Sequence, residues 1–590
     1  MHEMVWLLVA LFVQGCALTG ASTTALWWDG MVQANLTYDE QVTAYAAQGL
    51  MNRMEMQVFF NIGKMNFDWH EADVFWKNEL EKSGQALFTT IPPNLCALVS
   101  TAASTNAVAG FVVYPGDSKE KQYGDGFSTA IALTLAGQEN LVPVSAKTLK
   151  SNPCLSDTGL SVKQDLRHTF VGETRVEAWN WAVSKLLPKS SKKTIFNLNH
   201  FRVAVDPLPF KHDKQSNATA SSIDYAVQQN AFVLDLESHS SSPKGGTAPW
   251  SQDDEFIQEI FGHMDPLFDA YGWADDEFSW TNITSHYGGT IMCSFSSENL
   301  SFWAKLKLKD GRAKARRLPR NDRGIILDRK KYYVTFETNE GDTPRLLVSA
   351  MVSAWASPQR GSLPIAWAID PLLAERFPAL FDFYASTATR NDSFIAGTAG
   401  AGYVFLNQLS KKQLQVYGNR VGALISQYGP TVIDTYGYAN LTVHENYRQA
   451  IIAGGSSPDA FVTQPNWPNV AYAPFHCSNN SNMVLKDGTP LICTSGKPKL
   501  FYYSDDLNTE CPSCDLADRI EKVAREHPPP YFVLAYGGLQ AAGGADVKSN
   551  KNFFPLLQQT IKRLGDDFIT VGATEMARLA HEAGHKLEQS

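Results

Sequence analysis

From Lys331 onward, short runs rich in β-branched and aromatic residues alternate with amphipathic stretches, and this alternation constrains the fold more than any other feature of the chain. It is the pattern that parallel strands joined by crossover helices impose. The candidate strands are Tyr332 to Phe336, Pro364 to Ile369, Ser393 to Ala396, Thr431 to Thr435, Ala460 to Thr463, Lys499 to Tyr503, Tyr531 to Tyr536 and Phe568 to Val571. Eight such runs predict a closed β/α barrel. Between them, Leu414, Tyr417, Val421, Leu424 and Tyr428 step by three and four ahead of a capping Gly429, and Phe554, Leu557, Ile561 and Leu564 repeat the step before Gly565. In a barrel, as in an open doubly wound sheet, chemistry sits where strands end and helices begin, so polar residues just after each strand become the candidates.

The region from about 22 to 320 reads as separate α/β structure, with strand-like stretches Gln57 to Ile62, Gly110 to Tyr114, Ala231 to Leu236 and Thr290 to Phe295. The expected division is a leader over 1–21, an N-terminal α/β module over 22–150, a second α/β region over 151–320, and a C-terminal β/α-barrel-like domain over 321–590. The stretch Lys305 to Arg323 holds nine Lys or Arg residues and reads as a solvated connector. A net charge of -9, spread without acidic or basic blocks, argues against nucleic acid or an anionic membrane as the main partner.

An apolar stretch from Val5 to Val13, followed by Gly15, Ala17, Gly20 and Ala21, has the size of a signal-peptide core and is too short to span a bilayer. Secretion is therefore expected, with a lipid anchor through Cys16 the less favoured reading. No later stretch is apolar enough for a membrane span. Asn35, Asn217, Asn282, Asn299, Asn391, Asn440 and Asn479 open glycosylation sequons, some of them chance matches. Cys477 with Cys493, Cys96 with Cys154, and Cys511 with Cys514 are the expected disulfides, leaving Cys293 free.

Residues Asp392 to Phe405 form an apolar run that breaks into Gly397, Gly400 and Gly402 ahead of Tyr403. Glycines so spaced serve a tight strand exit where backbone or ligand comes close, and the expectation is a displayed Tyr403 whose ring suits a sugar face. A turn packing Tyr403 into a core is the plain alternative. The run Gly400-Ala401-Gly402-Tyr403-Val404-Phe405-Leu406 resembles the signature of the GxGYxYP family of glycoside hydrolases, departing at its last two positions. Similar context surrounds it at Pro364 to Pro371 and Thr387 to Asp392, and further matches lie at Gln48 to Arg53, Tyr271 to Trp273, Asn299 to Ser301 and Phe568 to Leu579. The resemblance implies α/β N-terminal modules, a barrel-type C-terminal domain and action on glycosidic bonds. Where the family carries a Ser-Asp-Gly-Asp-Asn-like segment after the first barrel strand, this chain has Asn339-Glu340-Gly341-Asp342-Thr343.

Glycoside hydrolysis needs a protonated acid at the leaving oxygen and an ionised carboxylate as nucleophile or base, both facing one cleft. Glu340 and Asp342, on a glycine-hinged loop after the first barrel strand, are the first candidates; a polar turn with Asp342 capping a helix is the plain alternative. Asp434 ends the strand Thr431 to Thr435, with Tyr436 close behind, and is the second carboxylate. Asp370 before Pro371 reads first as a helix cap and second as a substrate contact. Asp505 follows Lys499 to Tyr503, and Trp367 and Tyr403 are candidate sugar platforms, with Gly400 and Gly402 shaping the same mouth. Trp467 and His476 are lesser candidates. No cofactor is called for, and no Ser-centred elbow, zincin helix or phosphate loop is complete. The rivals to a hydrolase are a non-catalytic glycan-binding protein on the same scaffold and a metal-dependent carbohydrate deacetylase, the latter disfavoured because the 13 His residues show no ligand pairing at a strand end. The oligomeric state is left open.

Overall fold

The computed structural model describes residues 23–63, 69, 71–116, 126–170, 175–198, 222–235, 253–272, 277–294, 297–338, 343–435, 440–463, 482–493, 511–536 and 553–584. The leader lies outside them. Three small parallel sheets come first. The first joins β1 (Thr23–Trp28), β2 (Val58–Phe60) and β3 (Ala86–Ile91), and the second joins β4 (Gly110–Tyr114), β5 (Leu141–Ser145) and β6 (Val162–Asp165). The third holds β7 (Thr194–Asn197), β8 (Phe232–Leu234), β9 (Asp269–Tyr271) and β10 (Thr290–Ile291) in the order β10-β9-β7-β8.

The C-terminal sheet comprises β11 (Tyr332–Glu337), β12 (Ile365–Ile369), β13 (Asp392–Ala396), β14 (Val432–Thr435), β15 (Ala460–Thr463), β16 (Met483–Val484), β17 (Pro490–Cys493), β18 (Tyr531–Tyr536) and β19 (Phe568–Thr570). Its order is β16-β17-β15-β14-β13-β12-β11-β18, parallel throughout except for β16. β18 occupies one edge of β11 along its whole length, so β19 and β12 share the other, β19 at Tyr332 to Val334 and β12 at Glu337. These strands are buried at nearly every position, as parallel strands covered on both faces must be. Seven of the expected strands form, while Lys499 to Tyr503 lies outside the described residues. The short pair β16 and β17 is additional.

The sheet curls into a half-barrel. Among the described residues no ladder joins β17 to β18; the buried side chain of Asn482 spans that seam instead. Its amide donates to Phe532 O at 2.8 Å and its oxygen accepts from Cys493 N at 3.1 Å. An asparagine side chain carries the same donor and acceptor as a peptide unit, which is why one residue can stand in for a strand at that point.

The two faces of the sheet have different partners. Tyr333, Ala366, Ile395, Val432, Val462 and Leu534 share one core with Met576, Ala577, Leu579 and Ala580 of the helix Ala573–Ala583, which fills the concave side. Full burial of Met576 and Leu579 contributes about 1.5–3 kcal/mol each. The alternate positions, among them Val334, Phe336, Trp367, Phe394 and Ile433, pack outward into the main core.

The N-terminal sheets are tied together by buried amides. Gln48 Nε2 donates to Asn299 Oδ1 at 2.7 Å, Asn52 Nδ2 to Ser301 Oγ at 2.9 Å, and Gln228 Nε2 to the carbonyls of Asn52 and Ser301 at 2.6 and 2.7 Å. The motif Gln48 to Arg53 and the motif Asn299 to Ser301 are therefore two halves of one joint. Gly49 belongs to it because a Cβ there would lie 2.2 Å from Asp224 O. Asn299, expected as a sequon, is buried and its amide donates to Phe60 O at 3.0 Å, so the folded chain offers no acceptor there. Cys96–Cys154 and Cys511–Cys514 are bonded, and Cys293 is buried and outside any disulfide. Cys493 is also disulfide-bonded, and Cys477 lies outside the described residues. The basic stretch is more than a solvated connector. Arg312 pairs with Asp310 and Asp382, Arg320 with Asp459, and Arg323 with the buried Glu575 at 2.6 Å, so it straps the C-terminal domain from outside.

Candidate active site at the strand ends

Glu340, Asp342, Tyr436 and Asp505, with the lesser candidates Trp467 and His476, lie outside the described residues. Asp434 is 0% exposed on the central strand β14, in register with Val462 of β15. Side chains alternate along a strand, so Asp434 shares the concave side with Val432. Glu337, which sequence reasoning passed over, closes β11 on the face of Tyr333 and is 1% exposed. The signal that would have found it is the two-residue period from Tyr333 through Thr335, which carries the concave face to the last position of the strand. Two buried acids thus stand at the C-terminal ends of β11 and β14, above the apolar filling supplied by the helix Ala573–Ala583.

His444 braces the same end of β14. Its ring spans Thr435 Oγ1 at 3.0 Å and Asn440 O at 3.2 Å, and Thr435 Oγ1 also reaches Val462 O at 3.1 Å. The ring is buried on the helix Leu441–Ala453, whose N-cap is Asn440.

Asp370 follows β12 and is both a cap and a clamp. One oxygen accepts from Leu372 N at 2.8 Å and the other from Gly402 N at 2.6 Å. Burial raises its pKa to about 7 against the opposing pull of those two N–H groups. The glycine loop it holds is built from left-handed backbone: φ is +60° at Ala399, +93° at Gly400 and +89° at Gly402. At Gly402 a Cβ would sit 2.7 Å from Cβ and Oγ1 of Thr290, and at Gly400 it would sit 2.9 Å from Val421 Cγ1. Two tyrosines hold the loop from the helix side. Tyr417 Oη lies 3.0 and 2.9 Å from the carbonyls of Ala399 and Gly402 and accepts from Ala401 N at 3.2 Å, while Tyr447 Oη donates to Ala399 O.

The glycines let the loop press against the third N-terminal sheet, and this decides the fate of Tyr403. Its backbone pairs with Ile291 in both directions, Ile291 N to Tyr403 O at 2.9 Å and Tyr403 N to Ile291 O at 2.8 Å. The side chain is 5% exposed and meets Phe405 edge to face at 5.7 Å. Tyr403 is therefore buried between domains and does not display its ring as a sugar platform. Trp367 is 0% exposed, donates from its indole to Asp392 Oδ1 at 2.8 Å and packs against Trp355 at 5.1 Å. A stacking face must be open, and Trp367 lies on the outward, helix-covered side of β12. Gly400 and Gly402 shape the loop, and a side chain added at either would run into Val421 or Thr290. No group of three or more His, Cys, Asp or Glu side chains among the described residues could hold a metal ion.

Three family models match the chain: "GxGYxYP_N second domain" over residues 108–190, "GxGYxYP third domain" over 211–305, and "GxGYxYP putative glycoside hydrolase C-terminal domain" over 330–537. The chain belongs to the GxGYxYP family. The GxGY stretch is thus the domain-seating loop, and its departures Phe405 and Leu406 are both buried, Phe405 N donating to Ser285 Oγ at 2.9 Å. None of the curated proteins matches. A crystal structure of "a putative hydrolase" from Bacteroides thetaiotaomicron is similar over 95% of this chain and 94% of its own, with a TM-score of 0.70 at 16% identity, a likeness of fold. A crystal structure of a "putative polysaccharide deacetylase" from Mycobacterium smegmatis is matched over 46% of this chain and 96% of its own, at a TM-score of only 0.29 and 12% identity. No helix among the described residues is long and apolar enough to cross a membrane.

Proposed function

We propose that this chain is a secreted glycoside hydrolase that cleaves a polysaccharide or glycan with a pair of carboxylates at the concave rim of the C-terminal sheet. The observation that carries the proposal is Asp434: a buried carboxylate at the C-terminal end of a central parallel strand, where such folds gather their chemistry, within the stretch matched by the hydrolase-domain model. Glu340 and Asp342 follow β11 in the sequence, and its last residue Glu337 is a further buried acid on the concave face shared by Asp434. In this reading one carboxyl group of the set donates its proton to the leaving glycosidic oxygen, and another attacks the anomeric carbon or deprotonates the attacking water. Asp370 acts as a positioning residue by fixing the glycine loop through Gly402 N. Tyr436 and Asp505 remain proposed sugar contacts. Trp367 and Tyr403 do not, and with both rings buried a glycan-binding protein built on that platform loses its support.

Disulfides among the described residues fit an oxidising compartment, and the exposed Asn35 and Asn440 are the favoured glycan acceptors. The test is release of reducing ends from a polysaccharide panel by the wild type and by Asp434→Asn, Asp342→Asn and Glu340→Gln. Loss of a general acid or base lowers turnover by about 10²–10⁴-fold. Activity within about threefold of wild type in the Asp434→Asn protein, with its melting temperature unchanged, would refute the role of Asp434.

A further inference from the structure

The second N-terminal sheet carries a groove remote in sequence from the acids of the C-terminal domain. Two helices end beside it. Gly126–Glu139 brings Leu135 and Glu139, and Arg175–Lys185 brings Trp181 and Lys185. Residues four apart share a helix face, so each helix end presents one apolar and one charged side chain to the same hollow. β6 adds Gln164, whose amide donates to Glu139 at 2.9 Å, and the turn after the second helix adds Lys189. The hollow has a volume of about 460 Å³, within the size range of small-ligand sites.

Its chemistry is that of an amphipathic ring binder. Leu135 is buried, and Trp181 is half-buried, its ring set at a steep angle to Phe170 with centroids 5.4 Å apart, so the indole is held in place with part of it open to the groove. Around it stand an amide, a carboxylate and two ammonium groups, supplying both donors and acceptors. A pyranose has that complement: an apolar C–H face for the indole and a rim of hydroxyls. The charges decide between classes of sugar. Lys185 and Lys189 are offset by Glu139 and by the partial charges, about half a unit each, at the C-terminal ends of the two helices. The groove is close to neutral and gives a uronate no advantage.

We propose that this groove is a second, non-catalytic carbohydrate site that takes a residue of a neutral glycan against Trp181. It rests on the reading that the protein acts on glycans, and it would hold a polymeric substrate near the C-terminal domain, raising its effective concentration there. The experiment is affinity electrophoresis of the full chain in gels containing laminarin, xyloglucan, soluble starch or polygalacturonate. It is run in the Asp434→Asn background so that cleavage does not enter, and reducing-end release by the otherwise wild-type chain is measured separately. The expected result is retardation by at least one neutral polymer, weakened about tenfold or more both by Trp181→Ala and by the surface pair Gln164→Leu with Lys189→Glu. The surface pair guards against a loss caused by repacking around Trp181. Absence of retardation by every neutral polymer, retardation by polygalacturonate alone, or binding that survives either variant overturns the proposal. Absence of reducing-end release with groove-dependent retardation intact would instead count against the hydrolase reading alone.

Discussion

Replacing Gly402 with alanine tests whether the glycine loop is a seat between domains. Two costs add. The backbone at φ +89° is one that an L-residue adopts at about 1–2 kcal/mol. The new methyl would lie 2.7 Å from two atoms of Thr290, on strand β10 of another domain, and neither backbone can retreat freely because each is held by the Ile291–Tyr403 pairing. Overpacking of this kind costs about 1–3 kcal/mol. The sum, about 2–5 kcal/mol, is a large fraction of the margin by which proteins stay folded. Urea unfolding followed by tryptophan fluorescence, alongside calorimetry, measures it. The Thr290→Gly background separates the two costs, because removing that side chain relieves the overlap and leaves the dihedral strain. A double-mutant cycle should return a coupling of about 1–3 kcal/mol. A Gly402→Ala protein within about 0.5 kcal/mol of wild type, or a cycle without coupling, would refute the argument that the loop is seated by close approach to Thr290.

Two further outcomes follow from buried charge. Burial raises Asp73 and Asp370 to about 7 and Asp224 to about 6, above the unfolded carboxylate value near 4, so the folded state holds their protons more tightly. Their contribution is complete below about pH 4 and is lost as pH climbs through 6 and 7. Asp165, held near 2 by Arg167, acts only at lower pH, while His527, lowered by burial, works the other way in the lower part of the window. Stability from urea titrations should therefore fall by a few kcal/mol between pH 5 and pH 8; a monotonic rise over that range would contradict it. Arg376→Ala strands the buried Asp269, whose carboxylate lies 2.6 Å from Arg376 Nε, and because the arginine is partly exposed the expected loss is about 2–4 kcal/mol. Adding Asp269→Asn should recover part of it, and a single variant costing under about 1 kcal/mol would show the pair to be incidental.

Most of the C-terminal sheet was legible because parallel strands are short, apolar and separated by helices with clear three-and-four spacing. The Lys411–Tyr428 helix and its Gly429 end came directly from that pattern. Which face of a strand meets solvent did not, since a strand buried on both sides gives a period of two without labelling the sides. Trp367 looked available for that reason and proved to be outward core. Glu337 was missed because the expected strand stopped at Phe336, one residue short of the end of β11. Asp370 was legible as a cap from the following Pro371, but its second bond, to Gly402 N, joins segments that only the fold brings together. Tyr403 failed for a related reason: the glycines do mark a close approach, but the approaching partner is β10, more than a hundred residues upstream. Asn482 at the sheet seam carries no local signal at all.

The helix Ala573–Ala583 supplies the filling for the hollow of a sheet whose strands, β19 included, all precede it in the chain. During synthesis every strand therefore leaves the ribosome before the piece that shields their inner surface from water. Until that piece arrives, Tyr333, Val432, Val462 and Leu534 line an unfilled trough, and β11 lacks β18 and β19 for most of the elongation time. The interior of the domain can close only once that helix has emerged, and removing the helix would uncover the core it shares with the strands.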